Sequence, residues 1–256
     1  MKKILSIVLL AAVFLPACKK AFEQPTAWSS VAVIQASPTV VQTPTVRTDT
    51  LQFFVDTMRL NSNNITYNTN TTYLPIRSGT KNINIRRGVN SSFTDYVPSF
   101  SYNFERGMAY SFFVYDTTTS ATGQAKVLRL KDDLTLPPAG TSKVRFLHLA
   151  PNAPAVDVTL VRTSATPNDS VTISGRSYVG GTPDENALSA FTNIPRGVYT
   201  ARVKLAGTQT VVLSTATTLL TATATGADVS EGRIVTLYAT GSAKGRPLTV
   251  GSFRHY

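Results

Sequence analysis

Tyr199-Thr200-Ala201-Arg202-Val203-Lys204-Leu205 is the stretch that decides the fold class. Its apolar side chains fall at every second position with polar ones between, the pattern of a half-buried β-strand. The same period of two recurs in Phe100, Tyr102 and Phe104 against Ser101 and Asn103, and in Ile83 and Ile85 against Asn82, Asn84 and Arg86. Ser111 to Tyr115 and Arg233 to Ala239 are apolar almost throughout, which predicts central strands covered on both faces. Turn residues separate these runs at Arg77-Ser78-Gly79, Arg106-Gly107, Pro195-Arg196-Gly197, Ala206-Gly207 and Glu231-Gly232. No segment carries a sustained helical stripe with caps, and the threonines of Thr217 to Thr225 favour a strand.

The pattern occurs twice. Val31-Ala32-Val33-Ile34-Gln35-Ala36-Ser37-Pro38 matches Val144-Arg145-Phe146-Leu147-His148-Leu149-Ala150-Pro151 at an offset of 113. The glycine turn before Ile83 and Ile85 matches that before Ala201 and Val203 at an offset of 118, and the run from Tyr110 matches that from Val235 at 125. Such drift is what differing loop lengths produce. A unit of about 110 residues holding about seven short strands predicts an immunoglobulin-like β-sandwich. The expected chain is therefore all-β: two tandem immunoglobulin-like β-sandwich domains after a lipoprotein signal peptide. Its boundaries are 1–17 for the signal, 18–27 for a lipidated tether, 28–137 for the first domain and 138–256 for the second. Leu134 to Thr141, with Pro137, Pro138 and Gly140, is the joint.

The N-terminus gives an address. Lys2 and Lys3 precede an apolar run of 11 residues, Ile4 to Phe14, too short to span a bilayer but suited to an export signal. Leu15-Pro16-Ala17-Cys18 resembles the bacterial lipobox, which implies a mature chain beginning at a lipid-modified Cys18 and held to a membrane by acyl chains. Lys19 follows the cysteine where an aspartate would suggest retention at the inner membrane, so the outer membrane of the bacterial envelope is expected. Cys18 is the only cysteine, so no disulfide framework exists and stability must come from buried apolar surface. Hydrophobic content of 42% with 15% charged residues suits a folded globular chain. The net charge of +11 is spread along the sequence without a basic run or an aromatic-basic platform, which argues against nucleic acid; such a charge serves solubility, and beside an anionic envelope it also attracts lipid headgroups or acidic glycans.

Val144 to Val158, a strand ending in His148 followed by Ala150-Pro151-Asn152-Ala153-Pro154-Ala155 and Val156-Asp157, resembles the opening motif of the family called domain of unknown function 4397. Ile194-Pro195-Arg196-Gly197-Val198-Tyr199-Thr200 resembles that family's next landmark, a proline-glycine turn feeding a strand. The likeness covers most of Lys143 to Gly241. The first repeat has Gln35 where the motif has its histidine, and its membership follows from internal similarity. The resemblance implies β-rich modules, often paired, on secreted or envelope-anchored bacterial proteins, and it implies no reaction.

No residue pattern points to catalysis. His148 and Asp157 could form part of a hydrolase relay. The structural reading is that His148 bonds a neighbouring turn and Asp157 accepts backbone N–H groups to fix a loop. With His148 and His255 the only histidines, no usual zinc site can be assembled locally, and neither a metal nor a cofactor is expected. The acidic pairs Asp132-Asp133 and Asp184-Glu185 read as solvated loop ends. Asp49-Thr50-Leu51, Asp56-Thr57-Met58, Asp116-Thr117-Thr118 and Asp169-Ser170-Val171 resemble a short bacterial O-glycosylation signal. Tyr67, Tyr73, Tyr96 and Tyr178 stand in polar stretches, and Tyr67, Tyr73 and Tyr178 are the candidate ligand-binding residues, able to stack on sugars. The loops Asn61 to Thr72 and Ser174 to Glu185 are the candidate recognition loops. The function expected is a non-catalytic binding module for a glycan or an envelope protein. A passive envelope spacer, or a hydrolase using His148, is the alternative.

Overall fold

The alternating and continuous apolar runs become strands where their periods require them. The computed structural model describes residues 27–38, 50–89, 92–116, 125–162, 169–214, 232–242 and 246–255. The leader, Cys18, the tether up to Thr26 and Thr217 to Thr225 lie outside the described residues. The first half forms β1 (Trp28–Gln35), β2 (Leu51–Val55), β3 (Met58–Arg59), β4 (Leu74–Arg77), β5 (Gly79–Val89), β6 (Ser92–Phe104), β7 (Ala109–Tyr115) and β8 (Lys126–Asp132). The second forms β9 (Thr141–His148), β10 (Val156–Arg162), β11 (Asp169–Arg176), a short helix α1 (Glu185–Ser189), β12 (Thr192–Pro195), β13 (Tyr199–Leu205), β14 (Val211–Ser214), β15 (Ile234–Thr240) and β16 (Thr249–Arg254).

These strands make four sheets, ordered β4-β1-β7-β8 and β3-β2-β5-β6 in the first half, β12-β9-β15-β16 and β11-β10-β13-β14 in the second. Adding eight to every strand number of the first half reproduces the second. The register repeats too: β1 runs parallel to β7 with Val31 opposite Tyr110, and β9 runs parallel to β15 with Val144 opposite Val235. Among the described residues each half carries eight strands, one more than the sequence suggests, because β8 and β16 close a hairpin on the preceding strand.

Three apolar cores fill the four layers. Val31, Val33, Phe53, Ile83, Phe104 and Phe112 fill the first sandwich, and Val144, Phe146, Leu160, Ala201, Val235 and Leu237 fill the second. Their neighbours in sequence face the other way. Ala32, Ile34, Phe113 and Leu128 from one inner sheet meet Leu147, Leu149, Tyr238 and Phe253 from the other. Every residue of β7 and of β15 is buried, which is why neither run alternates. The inner sheets share one orientation. Asp132 at the end of β8 meets Arg145 near the start of β9, whereas Thr240 at the end of β15 donates to the carbonyl of Ala36 beyond the end of β1.

Equivalent loops of the two halves clasp the opposite sandwich. From the β3–β4 link, the Asn68 side-chain oxygen accepts from the Tyr238 hydroxyl at 2.9 Å, and the Tyr67 hydroxyl meets Thr240 Oγ1 at 3.4 Å. From the β11–β12 link, the carbonyl of Gly180 accepts from the Tyr115 hydroxyl at 2.7 Å, and Glu185 holds Arg129 Nε at 2.8 Å. Gly251 lies where a Cβ would overlap both the Tyr238 ring and the Asn68 amide, so only glycine lets them meet. The pair Asp184-Glu185 is not a free loop end: Asp184 caps α1 by accepting from Ala187 N at 3.0 Å, and Glu185 makes the ion pair just described. Sequence reading missed this helix because five residues are too few to show a stripe.

Candidate functional site

Where β8 ends against β9, polar side chains that alternate outward from the two sandwich cores are shut between the inner sheets. Asp132 and Arg145 form an ion pair at 2.7 Å with side-chain exposures of 0% and 2%. Arg145 Nη2 also donates to Ser111 Oγ at 2.8 Å, and Ser111 donates to Asp132 Oδ1 at 3.0 Å. The guanidinium plane covers the Phe191 ring at 4.5 Å. Burial pushes the Asp132 carboxyl up and the Arg145 guanidinium down, and each ion opposes the shift of the other.

The remaining partners close a ring. The Tyr73 hydroxyl donates to Asp132 Oδ2 at 2.7 Å and meets His255 Nδ1 at 2.6 Å. Tyr73 has a single proton, spent on Asp132, so His255 Nδ1–H must donate to Tyr73. His255 Nε2 is then bare and accepts from Thr236 Oγ1 at 2.8 Å, while Thr236 accepts from Arg145 Nε at 2.8 Å. Tyr73, Ser111 and Asp132 come from the first sandwich; Arg145, Thr236 and His255 come from the second. Burial and the nearby Arg145 charge push the His255 imidazole down to about 2. An unfolded chain titrates the same imidazole near 6.5, so it binds the extra proton first. The stabilisation is therefore complete above about pH 6.5 and declines as pH falls towards 2. Nitrogen-15 spectra are expected to show His255 neutral, as the Nδ1–H tautomer, down to pH 4; an imidazolium signal near pH 6 would contradict the ring.

The residues singled out in the sequence fall in several places. His148 is 2% exposed, and its Nε2 lies 3.0 Å from the carbonyl of Pro154 in the following turn. Burial pushes its pKa down. Asp157 accepts from Gly175 N at 2.7 Å and from Gly207 N at 2.8 Å, and these two bonds hold its carboxyl below the usual range. It thereby pins β10 to the irregularity near the end of β11 and to the turn that follows β13. Tyr96, in a polar stretch of the sequence, is fully buried, with its hydroxyl 2.6 Å from Ser37 Oγ. Tyr67, Tyr73 and Tyr178 are half-buried at the joint between the sandwiches. Arg246 covers the Tyr67 ring at 4.5 Å, Tyr73 belongs to the ring of hydrogen bonds, and Tyr178 packs on Tyr115 and His148. The structure thus brings Tyr73 and His255 together, and ties His148 at the end of β9 and Asp157 in β10 to different backbone groups. Of the four glycosylation-like tripeptides, Asp49, Thr117 and Thr118 lie outside the described residues; Thr50 is buried, while Thr57 and Ser170 are exposed.

Two clefts open on the seam. One, of about 840 Å³, lies over Asp132 and is lined by Met108, Asp133, Leu134, Thr135, Asn186 and Ser189 among others. Beside it Lys143 holds Asp133 at 2.7 Å, and this contact with the Thr135 hydroxyl pushes the Asp133 carboxyl down to about 2. The other, of about 670 Å³, is bounded by Phe100, Tyr115, Lys126 and Arg129 from the first sandwich and by Thr182 and Glu185 from the second. Arg129 covers the Phe100 ring at 5.5 Å and pairs with Glu185, so this cleft joins an aromatic wall to fixed donors and acceptors. Sequence reading found neither cleft, since each is assembled from strands of both halves. Among the described residues, no group of three or more His, Cys, Asp or Glu side chains is gathered as a metal would require.

A family model described as Domain of unknown function (DUF4397) matches residues 29–159. The match covers the whole first sandwich and continues through β9 into β10, taking in the Val144 to Val158 motif. It stops before the Ile194 to Thr200 landmark, whereas the sequence suggested the clearer likeness in the second half. No curated protein matches the chain.

Proposed function

The chain belongs to the DUF4397 family, and we infer that it is a non-catalytic binding module, tethered to the bacterial envelope through a lipid on Cys18 with the outer membrane as its site. The ligand is a glycan of the envelope. One observation carries this: the seam cleft of about 670 Å³ sets the half-buried Phe100 beside Lys126, Arg129, Thr182 and Glu185. An aromatic wall for a sugar face, flanked by donors and acceptors for hydroxyls, is the chemistry that carbohydrate recognition uses. The ion pairs Lys126–Asp116 at 2.6 Å and Arg129–Glu185 at 2.8 Å fix those polar groups in advance.

A spacer role is the second reading, favoured by the use of Tyr67, Tyr73 and Tyr178 in holding the sandwiches together. A glycan array with the intact protein separates the two. Thr182 is exposed on a loop, so Thr182→Trp fills the cleft without touching a core. Retention of a glycan that drops at least tenfold in Thr182→Trp supports recognition. A protein partner captured equally by both chains, or no retention by either, removes the glycan reading.

A further inference from the structure

The strand starts of both sandwiches gather at one end of the molecule. Trp28 opens β1 opposite Arg77, and its carbonyl accepts from Gly107 N at 2.9 Å in the turn that holds Arg106 and Met108. Ala109 lies opposite Asp132, where the link to β9 begins, and the Leu136 side chain of that link packs towards Gly232. Arg233 adjoins β15, and Arg254 lies opposite Val235 near its start. This end exposes large apolar side chains, with Trp28 54%, Met108 38% and Leu136 74% accessible. Around them stand Arg77, Arg106, Arg233 and Arg254, with the Arg77 guanidinium 5.8 Å from the Trp28 ring centre.

The charge here is lopsided. Each described carboxylate at this end is matched by another cation: Glu105 by Lys131, Asp132 by Arg145, Asp133 by Lys143 and Asp169 by Arg162. Among the described residues those four arginines are therefore surplus, and burial together with the Arg254 charge pushes Arg233 down. An exposed tryptophan among apolar side chains and arginines suits the boundary between lipid headgroups and acyl chains. The chain enters at the same end, where the carbonyl of Ala27 accepts from Ser78 N at 2.8 Å. Cys18 lies nine residues upstream, and nine residues reach about 30 Å at full extension. A lipid there keeps this end close to the bilayer.

We propose that this end is a bilayer-contact face: Trp28, Met108 and Leu136 enter the headgroup layer of an anionic membrane, and Arg77, Arg106, Arg233 and Arg254 bind lipid phosphates. The proposal rests in part on the lipid anchor, and it adds an orientation. The strands stand away from the membrane, and the loop from Asn61 to Thr72 points outward.

Trp28 is the only tryptophan, so its fluorescence reports on this face alone. The protein extracted from its native membrane is added to phosphatidylcholine vesicles with or without phosphatidylglycerol, and its N-terminus is weighed by mass spectrometry. On anionic vesicles Trp28 emission is expected to shift to the blue and to be quenched by brominated acyl chains, an effect that weakens as salt is raised. Removing Arg106 and Arg254, both exposed, with serine substitutions is expected to weaken the response about fivefold per arginine. Acylated protein that floats with the vesicles while Trp28 emission stays unchanged overturns the face and leaves the anchor standing. Protein without lipid on Cys18 that still shows the anionic-lipid shift keeps the face and removes the anchor.

Discussion

Arg145→Met is expected to destabilise the protein by about 3–5 kcal/mol, because it leaves the buried Asp132 carboxylate without its counter-ion. The same change strips donors from Ser111 and Thr236, so the hydrogen bonds that run from Arg145 round to Tyr73 lose their start. In a chain of this size the loss corresponds to a fall in Tm of roughly 10 °C. Adding Asp132→Leu removes the stranded charge, and the double variant is expected to recover more than half of the loss. A single substitution that loses under about 1 kcal/mol in urea titration would show that the ion pair is not sealed between the sheets.

Tyr238→Ala and Phe113→Ala strike the core between the sandwiches. The two rings meet edge-on with centroids 5.6 Å apart, and both are fully buried. Each truncation is expected to cost about 3–5 kcal/mol through lost burial and a residual cavity. A qualitative change should accompany that loss. Each sandwich keeps its own core, around Phe53 and Phe112 in one and Phe146 and Leu237 in the other. With the shared core weakened, unfolding followed by circular dichroism is expected to separate into two steps. A single step displaced by under 1 kcal/mol would count against the shared core.

The strands were legible because each period reports its own surroundings. Tyr199 to Leu205 alternates since only one face of β13 meets a core, whereas Ser111 to Tyr115 does not alternate since β7 lies between two cores. The repeat was legible for the same reason, and the sheet orders reproduce it strand by strand. What lay hidden is what pairs across the halves. Asp132 and Asp133 are neighbours, yet at a strand end one side chain turns inward to Arg145 and the other outward to Lys143. Composition alone reads both as solvated. Tyr73 and His255 share a hydrogen bond across 182 positions, and no local pattern announces such a contact. Of the candidate loops, Ser174 to Glu185 begins inside β11 and ends in α1, and the tyrosines of both loops clasp the opposite sandwich, which a reading of isolated domains has no means to foresee.

The central claim is that the four layers fold as one cooperative body through the core that Phe113, Leu147 and Tyr238 share. Differential scanning calorimetry of the unaltered protein tests it most directly. The account predicts one transition whose calorimetric and van't Hoff enthalpies agree. Two resolved transitions, each with the enthalpy of a single sandwich, would contradict it.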